Sequence, residues 1–320
     1  DTLGPRPLTR WAWALPLTLA ALAVACTSDG AGTAVGSSDG GQLVTVPSSR
    51  PSPGGPTTSL IDSDRPLFER KPELPEELLD YSAELPDHVS DLTALGDVSP
   101  ENPLTDAGAT LGRVLFYDVN LSGSRSLACA SCHLQSNSFT DRTPQSLGNF
   151  GQTTRRNSMS LANLAFNANG RFFWDERAES LEAQAVDPFR DPIELALPDD
   201  EVIDRILSLP YYEPLFTDAF GTAAYSDDGV TMDRVAQALS QFMRAMVSVN
   251  APYDEGRAGA NDSLTDFANF SAQENLGKLL FMTSSELGGG GCVECHTTDL
   301  FLTPPTNGGN NGLEDGQSSL

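Results

Sequence analysis

Two stretches of this chain share one pattern, Cys129-Ala-Ser-Cys132-His133 and Cys292-Val-Glu-Cys295-His296. Together they use four of the five cysteines and two of the three histidines in the chain. The spacing C-x-x-C-H is typical of covalent c-type haem attachment, because two thiols one helical turn apart can bond the two vinyl groups of one porphyrin. The adjacent histidine then faces the iron as a ligand. The pattern therefore predicts two haem-binding units.

The cysteine pairs have other interpretations: a redox-active C-x-x-C pair, a disulfide, or a zinc site made from Cys129, Cys132, Cys292 and Cys295. None of these explains why a histidine follows each pair. Haem attachment explains His133 and His296 as iron ligands, and it leaves no cysteine of the motifs for a disulfide. We therefore expect two covalently bound c-type haems.

The two motifs lie in repeated surroundings. Leu111-Gly-Arg-Val-Leu-Phe116 begins 18 residues before Cys129, and Leu276-Gly-Lys-Leu-Leu-Phe281 begins 16 residues before Cys292. Each run has apolar residues at helical spacing and a glycine where another backbone or a haem can approach closely. Helical spacing also dominates between the motifs, and no segment alternates convincingly as a β-strand does. The fold class is therefore mainly α, with two cytochrome c-like haem domains.

Three helices can be placed from local patterns. Residues 199–208 carry one apolar face, and Ser271 with Glu274 forms a capping box for the second repeated helix. Thr231 can cap a longer helix, whose apolar stripe is Val235, Leu239, Phe242 and Met246. Met243 and Met246 could ligate haem iron, but their place on this helix favours core packing.

The first 26 residues read as an export signal. An apolar run, 11–25, follows two arginines and is too short for a comfortable transmembrane helix. Ala23-Val-Ala-Cys26 resembles a bacterial lipobox, in which the cysteine is lipidated, and an ordinary secretory signal is the alternative. Residues 27–75 are expected to be a disordered tether, since 23 of the 33 residues 27–59 are Gly, Ser, Thr or Pro. The sequence therefore predicts a periplasmic protein anchored through Cys26.

The formal net charge of −25 limits the partners of the protein. An acidic surface repels nucleic-acid phosphates and anionic lipid headgroups. We therefore exclude nucleic acid as a partner and expect membrane attachment only through the N-terminal lipid.

From Asn102 onward the chain resembles the di-haem cytochrome c peroxidase family, which includes the MauG-type enzymes. The resemblance rests on short pieces that occur in the family's order and at family-like spacing. Besides the two haem motifs, these pieces are Leu111–Asp118, Phe139–Asp141, Arg156–Asn157, Phe173–Arg177, Leu181–Gln184, Asp187–Pro188, Asp191–Glu194 and Gly291. The set is far more specific than any single piece.

The resemblance implies domains and roles. Residues 76–250 would form the N-terminal, peroxidatic domain, and residues 251–320 the start of the C-terminal, electron-transfer domain. Glu194 matches the catalytic glutamate, which would carry a proton from one peroxide oxygen to the other. Gln184 matches a glutamine that would hydrogen-bond the bound oxygen, and Pro188 matches a pocket-lining proline. For Glu194 the alternative is a solvated carboxylate.

Two further matches concern the space between the haems. Trp174 matches the residue that supports electron transfer from one haem to the other, and a buried core tryptophan is the compatible alternative. Asn157 matches a ligand of one calcium ion, a hard cation that its side-chain oxygen suits. The family's C-terminal domain continues beyond the end of this chain and carries the distal ligand of the second haem. We therefore expect a truncated chain whose second domain is incomplete.

The resemblance implies an oxidoreductase that reduces hydrogen peroxide to water. Electrons would enter at the second haem from a small redox protein, cytochrome c or cupredoxin, and pass by Trp174 to the first. Two alternatives stay open: a MauG-like enzyme that oxidises a protein or organic substrate, and a non-catalytic di-haem electron carrier. The residues do not decide the oligomeric state, for which a homodimer is one option.

One position departs from the family. Many members have a distal histidine near the position that Asn149 takes here, eight residues before Asn157. No histidine lies between His133 and His296. His88 is the remaining histidine, and we expect it on the surface or in a loop.

The first haem is therefore predicted to be five-coordinate and high-spin in the oxidised protein, because no histidine is available as its distal ligand. Optical and EPR spectra of the haem-loaded protein check this prediction. A spectrum of low-spin haem alone would contradict it.

Overall fold

A computed structural model of the chain describes residues 74, 76–82, 84–90, 99, 101–167, 170–226 and 229–302. The predicted signal 1–26, with Cys26, lies outside the described residues, and so does the tether 27–75 apart from Leu74. The domain boundary between residues 250 and 251 stays a prediction.

The described part of the chain is mainly helical, as expected. Its α-helices are α1 Asp87–Ser90, α2 Asp106–Tyr117, α3 Cys129–Cys132, α4 Leu181–Arg190, α5 Asp199–Ser208, α6 Tyr212–Phe220, α7 Met232–Arg244, α8 Pro252–Ala258 and α9 Ala272–Met282. Short 3-10 helices lie at Val119–Leu121, Gln135–Asn137, Leu164–Phe166, Thr222–Ala224, Ser285–Leu287 and Cys292–Glu294. Extended pairing within these residues is limited to isolated β-bridges.

The helix ends follow the predicted local chemistry. The Thr231 side chain accepts a hydrogen bond from Arg234 N at the start of α7. Ser271 and Glu274 form the expected capping box of α9. The predicted apolar stripe of α7 is buried, as are Met243 and Met246, which are 4% and 8% exposed. Both methionines pack in the core, Met246 two residues after the end of α7, and Met243 also borders the cavity described below.

Helices α2 and α7 form the centre of the core, with α4 packed on α7 and α6 packed on α2. Two glycines allow α2 and α7 to lie unusually close. A Cβ on Gly112 would overlap the carbonyl oxygen of Ala238, and a Cβ on Gly108 would overlap the Gln241 side chain. The glycine expected to permit close approach therefore does so at Gly112.

A buried polar network ties the ends of these helices together. Arg244 donates to both carboxylate oxygens of Glu182, at 2.7 and 3.1 Å. Asn102 Nδ2 donates to Glu182 Oε1 at 2.7 Å, and Gln241 Nε2 donates to Asn102 Oδ1 at 2.8 Å. Gln241 Oε1 accepts from Thr105 N at 2.9 Å, so the network reaches the N-cap of α2. Charge-assisted bonds of this kind are stronger than neutral ones, and they fix α4 against α7.

The second haem motif lies beside α8 and α9. Tyr253, Phe267, Phe270, Phe281 and Phe301 form an aromatic cluster there, with ring centroids 4.9–5.4 Å apart in successive pairs. On α9, by contrast, Leu276, Leu279 and Leu280 are exposed. Among the described residues, none comes within 4 Å of a Cβ placed on Gly277. The second repeated helix therefore has an open face where α2 has a close neighbour.

His88 is not on the surface, so that expectation was wrong. Its side chain, on α1, is 3% exposed, and its Nε2 lies 3.6 Å from Asp254 Oδ1 on α8. Tertiary packing of α1 against α8 buries it, which the local sequence does not reveal.

Among the described residues, none of the helices combines the length and apolar character needed to cross a bilayer.

We predict that Gly112→Ala lowers the free energy of unfolding by about 1–3 kcal/mol, because the added methyl group forces α2 away from α7. Denaturant unfolding of the haem-loaded protein measures this. Gly277→Ala is the matched control at the equivalent position of the second repeat. It should be neutral or stabilising by up to ~1 kcal/mol, since alanine favours a helix and the space is open. Equal losses in both variants would contradict the role of the close crossing.

Candidate haem site

The first C-x-x-C-H motif forms a single helical turn. His133 N donates to Cys129 O at 2.9 Å, and Ser131 Oγ accepts from Ala128 N at 3.0 Å at the start of the turn. Cys129 and Cys132 are both free thiols. Burial raises the pKa of Cys129 to about 12, so this thiol is neutral at physiological pH. The turn places two thiols and a histidine together, as covalent attachment of one porphyrin requires.

The His133 ring is held by a backbone carbonyl. Its Nδ1 lies 2.8 Å from Phe139 O, across a tight loop closed by the Leu134–Thr140 bridge. Burial lowers the pKa of His133 and outweighs the carbonyl acceptors that raise it, so the ring is neutral. With its proton on Nδ1, the ring leaves a lone pair on Nε2, which is what an axial iron ligand needs.

The second motif repeats this geometry. His296 N donates to Cys292 O at 2.8 Å, and His296 Nδ1 lies 3.3 Å from Phe301 O. Phe139 and Phe301 both have a left-handed backbone, with φ of 56° and 58°. The internal repeat therefore extends from the cysteines to the loop that orients each histidine. The second site is more open, since Cys295 and His296 are exposed.

A cavity of about 610 Å³ lies beside the first motif, within the range of about 300–1,000 Å³ that is usual for small-molecule sites. It brings together the residues predicted for the first site and the two predicted for the space between the haems. These are Cys129, Cys132, His133, Asn157, Trp174, Gln184, Pro188 and Glu194. Residues separated by up to 65 positions in sequence, from 129 to 194, therefore line one space.

Helix α4 presents Gln184 and Pro188 to this cavity. They are four residues apart, so they lie on the same face of the helix. Gln184 Oε1 is buried and has no hydrogen-bond partner. A buried acceptor without a partner lowers the free energy of unfolding by about 1–3 kcal/mol, unless a ligand supplies a donor. The thiols, the neutral histidine and this unpaired oxygen together fit a haem with a small ligand on its iron.

Glu194 reaches the cavity from the loop after α4. Leu195 N donates to Pro188 O at 3.0 Å and Leu197 N donates to Phe189 O at 2.7 Å, so the loop folds back onto the helix. Burial, with the nearby charge of Asp191, raises the pKa of Glu194. Its carboxyl group therefore holds a proton at a higher pH than a solvated glutamate does, and the solvated alternative is wrong.

Trp174 is not a core residue, so that alternative is wrong too. Its side chain lines the cavity, yet the residue is 39% exposed. Its indole Nε1 donates to Asn157 O at 2.9 Å. The tryptophan therefore connects the cavity with the protein surface.

Asn157 has protein partners on both side-chain atoms. Its Nδ2 donates to Thr143 O at 2.9 Å, and its Oδ1 accepts from Thr140 Oγ1 at 3.3 Å. In the described ranges, no group of three or more His, Cys, Asp or Glu side chains is arranged to hold a metal ion. A calcium ion would have to displace the bond to Oδ1, and it stays a prediction.

Asn149 does not line the cavity. Its Oδ1 accepts from Ser124 N at 3.1 Å and from the Ser124 hydroxyl, and its own N donates to Ile193 O at 2.8 Å. It supports the loop that carries Glu194. Asn149 therefore has a structural role, and its match to the family's distal position stays a prediction.

The sequence interpretation missed an arginine group around the cavity. The members are Arg155, Arg156, Arg171, Arg177 and Arg190. Arg156 and Arg177 share Asp175, at 2.9 and 2.8 Å, and Arg155 pairs with Asp191 at 3.2 Å. Arginine suits the recognition of carboxylates, which haem carries as its propionates. The motif Phe173–Arg177 contains one of these arginines, but spacing along the chain could not show that all five line one cavity.

Known proteins with similar sequences agree with this geometry. Residues 106–262 match the profile of the di-haem cytochrome c peroxidase family. The chain is 37% identical over 201 residues to the methylamine utilization protein MauG of Methylorubrum extorquens, covering 62% of this chain and 52% of that protein. It is 34% identical over 199 residues to cytochrome c551 peroxidase of Nitrosomonas europaea, covering 62% and 53%. Residues 106–262 of the chain belong to the di-haem cytochrome c peroxidase family.

The fold of the chain also has a solved counterpart. A crystal structure of a MauG-like protein associated with microbial copper homeostasis matches with a TM-score of 0.55 and 27% identity. The match covers 72% of this chain and 61% of that chain. The chain spans about half the length of the curated relatives it matches. Haem is the cofactor that membership of this family implies.

The raised pKa of Glu194 predicts a pH-dependent stability difference. Folding favours the protonated acid. Below the ordinary pKa of glutamate, the free energy of unfolding of Glu194→Gln should therefore match that of the wild type. As pH rises through the raised pKa, the wild type alone must bury a charge, so the variant becomes the more stable protein. Denaturant unfolding of the haem-loaded chain over a pH series measures this. Glu179→Gln is the control, since that side chain is 83% exposed. A difference independent of pH would contradict the prediction.

Proposed function

We propose that this protein is a di-haem c-type peroxidase that reduces hydrogen peroxide to water with electrons from a small redox protein. The observation that carries the proposal is the convergence of Glu194 and Gln184 on the cavity beside Cys129–His133. A non-catalytic electron carrier has no need of a protonatable carboxyl group and an unpaired amide oxygen beside its haem. The cavity and its polar groups therefore favour catalysis over the non-catalytic alternative.

Glu194 is the proposed proton carrier. Haem, when bound, supplies the redox-active iron at which peroxide is reduced. Splitting the O–O bond requires that one oxygen loses a proton and the departing oxygen gains one. A carboxyl group with a raised pKa can accept the first proton and release it to the second oxygen. The unpaired oxygen of Gln184 can accept a hydrogen bond from the protonated form of the peroxide.

The position of Trp174 supports its proposed role in electron transfer. Electrons would enter at the haem of Cys292–His296 and pass by Trp174 to the haem of Cys129–His133. An indole that lines the cavity and is also exposed has the placement that such a connection requires. The donor would be a cytochrome c or a cupredoxin, and an acidic chain suits a donor with a basic patch.

A MauG-like oxidation of a protein or organic substrate is the second candidate function. Among the described residues that line the cavity, His133 is the one histidine, so this lining would offer a bound haem no second histidine. A relative named methylamine utilization protein MauG is 37% identical over the matched region. Turnover with peroxide and a reduced donor, compared with oxidation of an added protein substrate, separates the two functions.

The remaining proposals concern location and assembly. We place the protein on the periplasmic side of a bacterial membrane, where c-type haem is attached. Two covalent haems follow from the two motifs, and anchoring through Cys26, a calcium ion at Asn157 and a homodimer are carried forward as proposals from the sequence.

Glu194→Gln should lower the turnover number for peroxide by about 10²–10⁴-fold, because the amide cannot carry the proton. Stopped-flow and steady-state assays of haem-loaded protein measure the change. The exposed Glu179→Gln variant is the matched control and should keep the wild-type rate. Full activity of Glu194→Gln, at wild-type haem content, would refute the acid–base role.

A further inference from the structure

Tyr211 and Tyr212 form a buried pair on a single carboxylate. Their hydroxyl groups donate to the same oxygen, Asp118 Oδ2, at 2.6 and 2.7 Å. The ring centroids are 4.8 Å apart. Tyr212 is fully buried, and Tyr211 is 8% exposed. The proposed peroxide chemistry uses none of these three groups.

The surroundings hold Asp118 as a hydrogen-bond acceptor. Its other oxygen, Oδ1, accepts from Asn120 N and Asn120 Nδ2, both at 2.9 Å. The Arg205 guanidinium donates to Asn120 O at 2.7 Å and also to Ser122 O, which fixes this turn. Oδ2 is therefore aimed at the two phenols. A carboxylate in a buried site is a strong acceptor for such groups.

A purely structural need would not require a carboxylate here. Tyr225 shows the difference, since its hydroxyl donates to backbone carbonyls, Leu207 O at 3.0 Å and Ile206 O at 3.2 Å. A carbonyl satisfies the hydroxyl group but cannot take its proton. Burial, together with the Asp118 charge, raises the pKa of Tyr211 and of Tyr212. Neither phenol therefore ionises by itself at physiological pH.

The pair and the first haem motif lie on elements that pack against the same helix, α2. Helix α2 packs against both α3, which begins at Cys129, and α6, which begins at Tyr212. Cys129 packs against the same core cluster that contains both tyrosines.

We propose that Tyr212, with Asp118 as proton acceptor and Tyr211 as its neighbour, is a redox-active tyrosine site for the haem of Cys129–His133. The proposal rests on the proposed function, because peroxide is the oxidant. Tyr212 gives one electron to the peroxide-oxidised haem centre, and its phenolic proton moves to Asp118 Oδ2. The products are a neutral tyrosyl radical, a carboxylic acid and a haem centre reduced by one electron.

This site would store one oxidising equivalent in the protein when the donor supplies no electron. The step is reversible: one electron from the donor and the proton on Asp118 restore the phenol. Tyr211 accepts from Asn120 Nδ2 at 3.3 Å and shares the same carboxylate oxygen, so the radical can pass to it without a new proton acceptor.

EPR spectroscopy tests the proposal in the haem-loaded full chain, frozen after addition of peroxide without a donor. Ring-deuterated tyrosine identifies a tyrosyl signal by its narrowing. We expect Tyr211→Phe combined with Tyr212→Phe to lose most of this signal. Tyr225→Phe is the matched control and should keep the signal, because the hydroxyl group that it removes is bonded to backbone carbonyls and not to a carboxylate. A signal unchanged in the double variant would overturn the proposal.

If the double variant does not fold, a measurement on the unmodified protein tests the proposal instead. ENDOR spectra in H2O and D2O should show an exchangeable proton hydrogen-bonded to the radical oxygen, from protonated Asp118. A tyrosyl radical without such a proton, or no tyrosyl radical, would overturn the proposal.

The haem absorption spectrum of the same samples distinguishes failure of this proposal from failure of the proposed function. If peroxide leaves the haem spectrum unchanged, the proposed function fails. Photochemical oxidation with a ruthenium tris-bipyridine complex then replaces peroxide as the one-electron oxidant, and the tyrosine variants are judged by the same signal.

Discussion

The close crossing of α2 and α7 is the constraint on which the first haem site depends. Gly108 and Gly112 remove the side chains that would separate the two helices. With α2 fixed, α3 packs on it and carries the cysteines and His133. With α7 fixed, Leu239 and Met243 form part of the cavity wall. Interiors are packed too densely to absorb a shift of this crossing, so the wall and the attachment motif are positioned together.

Helix α4 joins this core to the chemistry. Glu182 faces Arg244 of α7, and Gln184, two residues later, points to nearly the opposite side of the helix, into the cavity. The salt bridge therefore helps to orient the side of α4 that faces the cavity. The loop that carries Glu194 bonds back to the end of the same helix, so one anchored element positions both polar groups.

Local chemistry allowed much of this to be predicted. The two C-x-x-C-H motifs, the caps at Thr231 and Ser271 and the stripe of α7 depend on neighbours in sequence. Glu194 and Gln184 came from resemblance, because a carboxylate or an amide has no distinctive local pattern. The burial of His88 and the exposure of Trp174 depend on distant segments, and so does the meeting of five arginines. Spacing along the chain carries no information about such tertiary encounters.

The two copies of the repeated unit differ in the free energy that local opening requires. In the first copy α2 is enclosed by α6 and α7. In the second, the leucines of α9 face outward, and its buried residues are Asn275 and Lys278. Local opening requires less free energy where few apolar groups are buried. Within the described residues, backbone amides of α9 should therefore exchange with solvent sooner than those of α2. The two helices should open in that order even though their sequences are similar.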